Sequence, residues 1–258
     1  MAMININIDG RTVQVEQGTT VLEAAKSVNI DIPTLCYMNL EDMNITHNPG
    51  GCRMCVVEIN GRRNLAPSCV TKCTEGMEIK THTMRVLNAR KTVLELILSD
   101  HPFDCLICAK NGTCDLQKMA QDLGIREIHY KGEQSTYKGD ESPSIIRDMD
   151  KCIMCRRCET MCNEVQTCGV LSGINRGFEA VVAPAFEQDL SKSPCTFCGQ
   201  CVAVCPTGAL TEVDHTNKVI RALADKSKTV IVQTAPAVRA ALGISIIVPT
   251  LYVNSTLL

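Results

Sequence analysis

Residues 152–162 read CIMCRRCETMC, and residues 195–206 read CTFCGQCVAVCP. Both stretches share the spacing C-x2-C-x2-C-x3-C, and in the second the last cysteine is followed by Pro206. Three cysteines on a tight loop cover three irons of a cubane, and the fourth, at the start of a short helix, reaches the other cubane. The repeat therefore predicts two [4Fe–4S] clusters and disfavours zinc. The predicted ligands are Cys152, Cys155, Cys158 and Cys205 for one cluster, and Cys162, Cys195, Cys198 and Cys201 for the other.

The composition agrees with a chain held together by metal clusters. Its 258 residues include 17 cysteines and no tryptophan, and only 3% are aromatic. Clusters can supply cross-links that a core poor in large side chains lacks. A net charge of −2 gives no support to nucleic-acid binding.

The start of the chain and the length of its apolar runs predict a protein that stays inside the cell and does not cross a membrane. The start MAMININIDG matches neither a secretory leader nor a transit peptide, and no apolar run is long enough to span a membrane. We expect a reducing compartment, where closely spaced cysteines bind metals more often than they form disulfides.

A further cysteine group lies near the N-terminus, and its ligands are Cys36, Cys52, Cys55 and Cys69. Two alternating strands around Asp9-Gly10, a helix capped by Thr19 or Thr20, and a strand pair around Asn60-Gly61 predict a β-grasp fold. This fold is the scaffold of plant-type ferredoxins, so the group predicts a [2Fe–2S] cluster. Gly50 and Gly51 would let backbone amides face its sulfurs. Zinc is the alternative, although zinc ribbons favour two C-x2-C pairs.

The remaining group is HPFDCLICAKNGTC, residues 101–114. It follows a predicted helix over MRVLNARKTVLELILSD, which ends before Pro102 and places His101 at its end. A lone histidine at a helix end is usually solvated. Beside three cysteines without a fourth thiolate, it is instead predicted to ligate another [4Fe–4S] cluster. A zinc site with the same one histidine and three cysteines is the alternative. The predicted ligands are His101, Cys105, Cys108 and Cys114.

The predicted fold class is α+β, in successive modules. They are a β-grasp [2Fe–2S] domain at 1–80, a small helical [4Fe–4S] domain with one histidine and three cysteine ligands at 81–125, a linker at 126–142, a bacterial two-[4Fe–4S] ferredoxin domain at 143–220, and a segment at 221–258. Cys73 and Cys168 belong to none of the four predicted ligand sets and are interpreted as ordinary small residues. Lys151, Arg156 and Arg157 are expected on a solvated face, and residues 39–50 are expected to form a surface insertion.

This order of modules resembles the N-terminal half of multi-cluster, NAD(P)-linked iron-only ([FeFe]) hydrogenases over roughly residues 3–243. It is also similar to the large peripheral iron–sulfur subunit of complex I and to the small diaphorase subunit of NAD-linked nickel–iron hydrogenases. The segment TVIVQTAPAVRAALG at 229–243 is similar to the opening of the iron-only catalytic domain. The resemblance implies that residues 221–258 are the start of a truncated hydrogenase catalytic domain with a non-matching tail.

The resemblance implies an electron relay between a redox partner and a hydrogenase catalytic centre. The redox partner would be a flavin-containing NAD(P)H diaphorase or a ferredoxin. The alternative is an electron-transfer subunit of a NADH dehydrogenase or diaphorase complex. The implied location is the cytoplasm, or the matrix of a hydrogen-producing organelle. The chain has no GxGxxG motif for a nucleotide site and no catalytic acid–base group of its own.

The sequence departs from the iron-only pattern after Gly243. No cysteine follows Cys205, so ligands for the hydrogen-activating cluster are missing from this chain. Residues 244–258 are expected to be a foreign ending or, alternatively, a short β-prone docking strand.

Overall fold

The structure is a computed structural model that describes residues 2–40, 43, 45, 47, 49–233, 235–238 and 240. The predicted tail at 244–258 lies outside the described residues, as do parts of 39–50 and of 229–243. The chain divides into two compact units, Met1–Val213 and Asp214–Leu258.

The first unit opens with a five-stranded mixed sheet. Its strands are β1 (Met3–Ile8), β2 (Arg11–Glu16), β3 (Val56–Ile59), β4 (Ala66–Pro67) and β5 (Glu78–Lys80). Positive φ angles at Asp9 and Gly10 close a tight turn between β1 and β2, and the strand order is β2-β1-β5-β3-β4. β1 pairs antiparallel with β2 and parallel with β5.

One helix, α1 (Val21–Ser27), packs against this sheet. Thr20 caps it: its hydroxyl accepts a hydrogen bond from the Glu23 amide at 3.2 Å, and the Glu23 carboxylate accepts one from the Thr20 amide at 2.9 Å. This capping box satisfies two backbone donors at the helix start. The predicted β-grasp domain is confirmed, and of the two candidate threonines Thr20 is the cap.

A helical segment follows and shares its core with the sheet domain. Helix α2 (Met84–Ser99) begins after the cap Thr83 and ends at Asp100, so His101 follows the helix directly, as predicted. Helix α3 (Asp115–Asp122) comes after the cysteine loop. The buried side chains of this core come from both segments: Leu35 and Met54 from the first, and Leu94, Leu98, Leu116 and Met119 from the second.

The third segment consists of short strands and helices. They are β6 (Asp140–Glu141), β7 (Ile145–Arg147), α4 (Arg157–Thr160), β8 (Ser172–Ile174), β9 (Val181–Ala183), α5 (Gln200–Val204) and β10 (Leu210–Glu212). Three of the strands form a small sheet in the order β10-β7-β6, and β8 and β9 form a separate hairpin. Helix α4 runs directly into a π-helical turn at Met161–Val165.

A buried ion pair joins three parts of this segment. Arg147 Nη1 lies 3.0 Å from Asp140 Oδ2, and both side chains are almost fully buried. Asp140 also accepts a hydrogen bond from the Leu190 amide at 2.8 Å, and Arg147 donates to the Val182 carbonyl at 3.1 Å. The pair therefore ties the three-stranded sheet to the hairpin and to the loop before Cys195.

The predicted surface insertion at residues 39–50 is wrong for Leu40, whereas Asn39 and Met43 are exposed as predicted. Leu40 is only 7% exposed, as is Met38 two residues before it, and both pack with Met161 of the third segment. Burial of an apolar side chain against the third segment is more favourable than its exposure to water.

The second unit contains helix α6 (Thr216–Ala224), whose Val219, Ile220 and Leu223 side chains are exposed. Among the described residues, no helix is both long and apolar enough to cross a membrane.

Replacing Asp140 with alanine should lower the thermal unfolding midpoint of the protein, because it leaves the Arg147 guanidinium buried without its carboxylate. Loss of one partner of a buried pair typically costs about 3–5 kcal/mol. Calorimetry or circular dichroism on the cluster-loaded protein measures the change. The control is Lys138→Ala, which removes an exposed partner of Asp189 and should leave the midpoint close to that of the parent. Equal midpoints in both variants would contradict this role.

Candidate metal centres

The predicted [2Fe–2S] ligands form two close pairs of thiols in the β-grasp domain. The thiols of Cys55 and Cys69 lie 3.3 Å apart, and Cys36 is hydrogen-bonded to Cys52. In each pair, the shared hydrogen bond lowers the pKa of one thiol (Cys36 or Cys55) and raises that of the other. Four thiols so close repel one another once ionised, and bound ferric ions would remove that repulsion.

Gly50 directs its backbone amide at a cysteine sulfur of this centre, as predicted. Its φ of 110° lies in a region that glycine adopts readily, and its N–H donates to Cys36 Sγ at 3.4 Å. Cys73 is buried in the apolar core of the same domain, where burial raises the pKa of its thiol.

The second centre is built around a buried imidazole. The His101 side chain is 9% exposed, and its Nδ1 has no hydrogen-bond partner in the part of the chain that the structure describes. Burial lowers the pKa of His101, so the ring is neutral at pH 7, which is the form that ligates metals. His101, Cys105 and Cys114 line one cavity of about 220 Å³. An unpaired buried nitrogen among thiols fits a metal cluster, since its desolvation would otherwise be uncompensated.

The third and fourth centres share a local backbone design. In the first cysteine loop, Met154 and Arg156 have φ angles of 50° and 59°; in the second, Phe197 and Gly199 have 52° and 75°. The Met154 N–H donates to Cys152 Sγ, and the Phe197 N–H donates to Cys195 Sγ, both at 3.4 Å. Left-handed residues in such loops turn successive amides toward one point, which forms a pocket for an anion.

The fourth cysteine of each stretch lies with the triplet of the other stretch. Cys205 is among the groups whose charge raises the pKa of Cys152, Cys155 and Cys158, although burial is the larger cause. Burial raises the pKa of Cys152 to about 11 and that of Cys155 to about 12.

The reciprocal arrangement holds for the second triplet. Burial raises the pKa of Cys201 to about 11, with smaller contributions from Cys195, Cys198 and Cys162. Cys168, one of the two cysteines outside the predicted ligand sets, lines the same cavity as these four thiols. Its N–H donates to the Cys162 carbonyl at 2.9 Å.

Among the described residues, no three His, Cys, Asp or Glu side chains converge on a position for a single metal ion. The ligands of a cluster bind different irons and so need not converge on one point.

Two of the basic residues near the third centre do not lie on a solvated face, and that expectation is wrong for them. Lys151 contacts Asp104 at 3.0 Å and Asp148 at 2.7 Å, and its side chain is only 13% exposed. Arg157 contacts Asp115 at 3.2 Å. The contacts with Asp104 and Asp115 reach from the third segment to the loop and helix of the second. The sequence pattern does not indicate them, because these acidic partners are distant along the chain.

Close backbone packing also joins the second and third centres. The Asp115 N–H donates to the Pro206 carbonyl at 2.9 Å. A Cβ placed on Gly208 would lie 2.5 Å from Cys108 Sγ, so the absence of a side chain there lets the two cysteine loops touch. The first and third centres are also close, because Cys52 and Cys152 line one cavity of about 420 Å³.

Three protein-family models match successive parts of the chain. They are a 2Fe-2S iron–sulfur cluster binding domain at residues 1–84, the NADH-ubiquinone oxidoreductase-G iron–sulfur binding region at 90–129, and the ferredoxin-like domain of NADH-quinone oxidoreductase subunit 3 at 142–211.

Curated relatives extend this likeness over most of the chain. It is 66% identical to the NADP-reducing hydrogenase subunit HndD of Solidesulfovibrio fructosivorans over 244 residues, which is 94% of this chain and 42% of the relative. It is 38% identical to a G-type subunit of the NADH-quinone oxidoreductase of Rhizobium meliloti over 84% of this chain and 25% of the relative. The chain thus spans less than half the length of either relative.

A solved structure has the same fold. It is a NAD+-reducing [NiFe]-hydrogenase in the H2-reduced state, with a TM-score of 0.73 and 28% identity over 82% of this chain and 88% of that chain. Over most of its length the chain is therefore similar to the iron–sulfur regions of an NADP-reducing hydrogenase subunit and of a G-type subunit of NADH-quinone oxidoreductase. Its three successive segments match iron–sulfur and ferredoxin-like domain models.

Replacing Gly208 with alanine should disturb the centre that contains Cys108, although Gly208 belongs to the third segment. The new Cβ would meet Cys108 Sγ at 2.5 Å, and a sulfur held by iron cannot move aside cheaply. We expect altered spectra or loss of one [4Fe–4S] cluster, measured by iron content and electron paramagnetic resonance. The control is Gly132→Ala, where the added Cβ meets nothing within 4 Å. An unchanged spectrum for Gly208→Ala would show that the two loops do not touch in the loaded protein.

Proposed function

We propose that this chain is the accessory electron-transfer part of an [FeFe] hydrogenase. It would bind one [2Fe–2S] and three [4Fe–4S] clusters through the four ligand sets predicted from the sequence. Electrons would pass between a flavin-containing NAD(P)H diaphorase or a ferredoxin and a hydrogen-activating catalytic centre. The predicted domain boundaries and a cytoplasmic location are part of the same proposal.

The observation that carries the proposal is the paired loop design of the third and fourth centres. Each loop has two left-handed residues and an amide aimed at the first cysteine sulfur. Left-handed residues at the same two positions of both loops, around thiols of the same spacing, fit two anionic clusters better than they fit unrelated thiols. The unpaired Nδ1 of His101 gives independent support for a cluster at the second centre.

The protein's own contribution is to hold and orient the clusters and to shield them from water. Burial keeps the Cys152 and Cys155 thiols protonated at neutral pH in the absence of metal, so cluster assembly releases protons from them. Amides of Met154 and Phe197 stabilise the negative charge of the ligand sulfurs, which raises the reduction potential. The clusters, once bound, supply the one-electron chemistry.

The choice of hydrogenase over other complexes rests on the relatives and on one segment. The likeness to an NADP-reducing hydrogenase subunit covers 94% of this chain. The [FeFe] type is supported by the resemblance of residues 229–243 to the opening of that catalytic domain. The alternative, an electron-transfer subunit of a NADH dehydrogenase or diaphorase complex, is favoured by the descriptions of the two matching models at 90–129 and 142–211.

Purification from native cells should separate these possibilities. We expect brown protein with acid-labile sulfide and roughly 14 iron atoms per copy of this region, as the four proposed clusters require. The native mass, the co-purifying subunits and hydrogen uptake with methyl viologen identify the partner. Hydrogen turnover supports the hydrogenase assignment, whereas an FMN protein without hydrogen turnover supports the alternative. Colourless protein containing zinc would refute both.

Replacing His101 with alanine should remove or alter one [4Fe–4S] signal and leave the others in place, because the remaining ligand sets are separate. Electron paramagnetic resonance on the reduced protein measures each signal. His101→Cys is the matched variant: it should restore a four-thiolate cluster with a lower potential, since thiolate is more negative than imidazole. Loss of every signal in His101→Ala would show that the centres do not assemble independently.

A further inference from the structure

The His47 ring touches a cysteine of the [2Fe–2S] centre. Its Nε2 lies 2.7 Å from the backbone carbonyl oxygen of Cys36. A carbonyl oxygen only accepts hydrogen bonds, so Nε2 carries the proton and donates it. In the neutral ring Nδ1 is then an acceptor. The Thr160 hydroxyl lies 3.4 Å from this nitrogen and also 3.4 Å from the Arg156 carbonyl oxygen, so its one proton is shared between two acceptors.

Thr160 connects this ring to the two [4Fe–4S] centres of the third segment. It is the last residue of α4 and lies between Cys158 and Cys162, which are proposed ligands of different clusters. A single side chain thus joins the backbone of one ligand of the [2Fe–2S] centre to the helical turn that carries a ligand of each [4Fe–4S] centre.

Apolar packing holds this bridge in place. Met38, Leu40 and Met161 are each 7% exposed and form one cluster. The Tyr37 ring packs edge-on to His47, with centroids 6.3 Å apart. The partly buried side chains that complete the apolar cluster are Ile45, Val165 and Val204.

We propose that His47 is a positioning residue that fixes the [2Fe–2S] centre against the [4Fe–4S] centres of the third segment. The inference deepens the proposed function and rests on it. Electron transfer between clusters falls steeply with distance, so a contact that fixes their separation controls the rate of transfer. His47 moves no electron or proton itself; it holds the Cys36 loop on α4.

Replacing His47 with alanine tests this role in the full-length, cluster-loaded protein. The iron content should not change, because Cys36 keeps its thiol. The magnetic relaxation enhancement of the reduced [2Fe–2S] signal by its reduced [4Fe–4S] neighbour should weaken, since the two centres would no longer be held at one distance. His47→Gln keeps an N–H donor and an acceptor on one side chain and should restore much of the enhancement.

His82→Ala is the matched control. His82 belongs to the same domain, but its ring contacts Thr81 and Asp9 rather than a ligand-bearing segment. It should leave the enhancement unchanged. An enhancement in His47→Ala equal to that of the parent protein would overturn the positioning role.

Hydrogen exchange gives a second readout that needs no cluster signal. Loss of one hydrogen bond of ordinary strength should speed amide exchange by about two- to tenfold, through easier local opening. We expect this in peptides that cover the Cys36 loop and also in those that cover α4. Missing iron–sulfur signals in the parent would refute the proposed function alone, whereas unchanged exchange in both peptides would refute the role of His47.

Discussion

The structure depends on one electrostatic constraint: clusters that carry negative charge have to be held inside a small protein. In this chain backbone amides contribute more than cationic side chains. Amides of Gly50, Met154 and Phe197 donate to cysteine sulfurs, and residues with left-handed backbone angles shape the loops that present them. Burial raises the pKa of the Cys152 and Cys155 thiols, and a backbone hydrogen bond opposes this rise more than the charge of Arg147 or Arg157 does. Lys151 and Arg157 also pair with aspartates of the neighbouring segment and so help to join the two segments.

The segments are held together by apolar side chains that they bury against one another. The first and third segments each enclose a core of their own, and further apolar side chains are buried between segments. Leu35 and Met54 join Leu94 and Leu98, and Leu40 joins Met161. These contacts bring loops from different centres close together, as Gly208 and Cys108 show. The same packing that stabilises the chain therefore also sets the spacing of its metal centres.

Much of the fold could be predicted because its signals are local. The Asp9-Gly10 turn, the cap at Thr20 and the end of α2 before Pro102 are each decided by a few neighbouring residues. The cysteine spacing is equally local, and the proposed ligand sets are predictions from that spacing. Contacts between segments could not be predicted. Asp104 and Lys151 are distant in sequence, and so are His47 and Thr160, and neither sequence pattern identifies the partner residue. The burial of Leu40 could not be predicted for the same reason, because the side chain of Met161 that it packs with is distant in the sequence.

The core shared by Leu35, Met54, Leu94 and Leu98 limits how the pieces can be recombined. Sequence repeats and family boundaries make the chain look like a series of interchangeable cassettes. A β-grasp cassette cut out before α2 would carry Leu35 and Met54 to its surface, both of which are fully buried in the intact chain. A cassette grafted onto another redox protein would need a substitute helix to cover them. Gene fusion and exchange among such proteins are therefore expected to keep the β-grasp domain and α2 together, as one inherited unit.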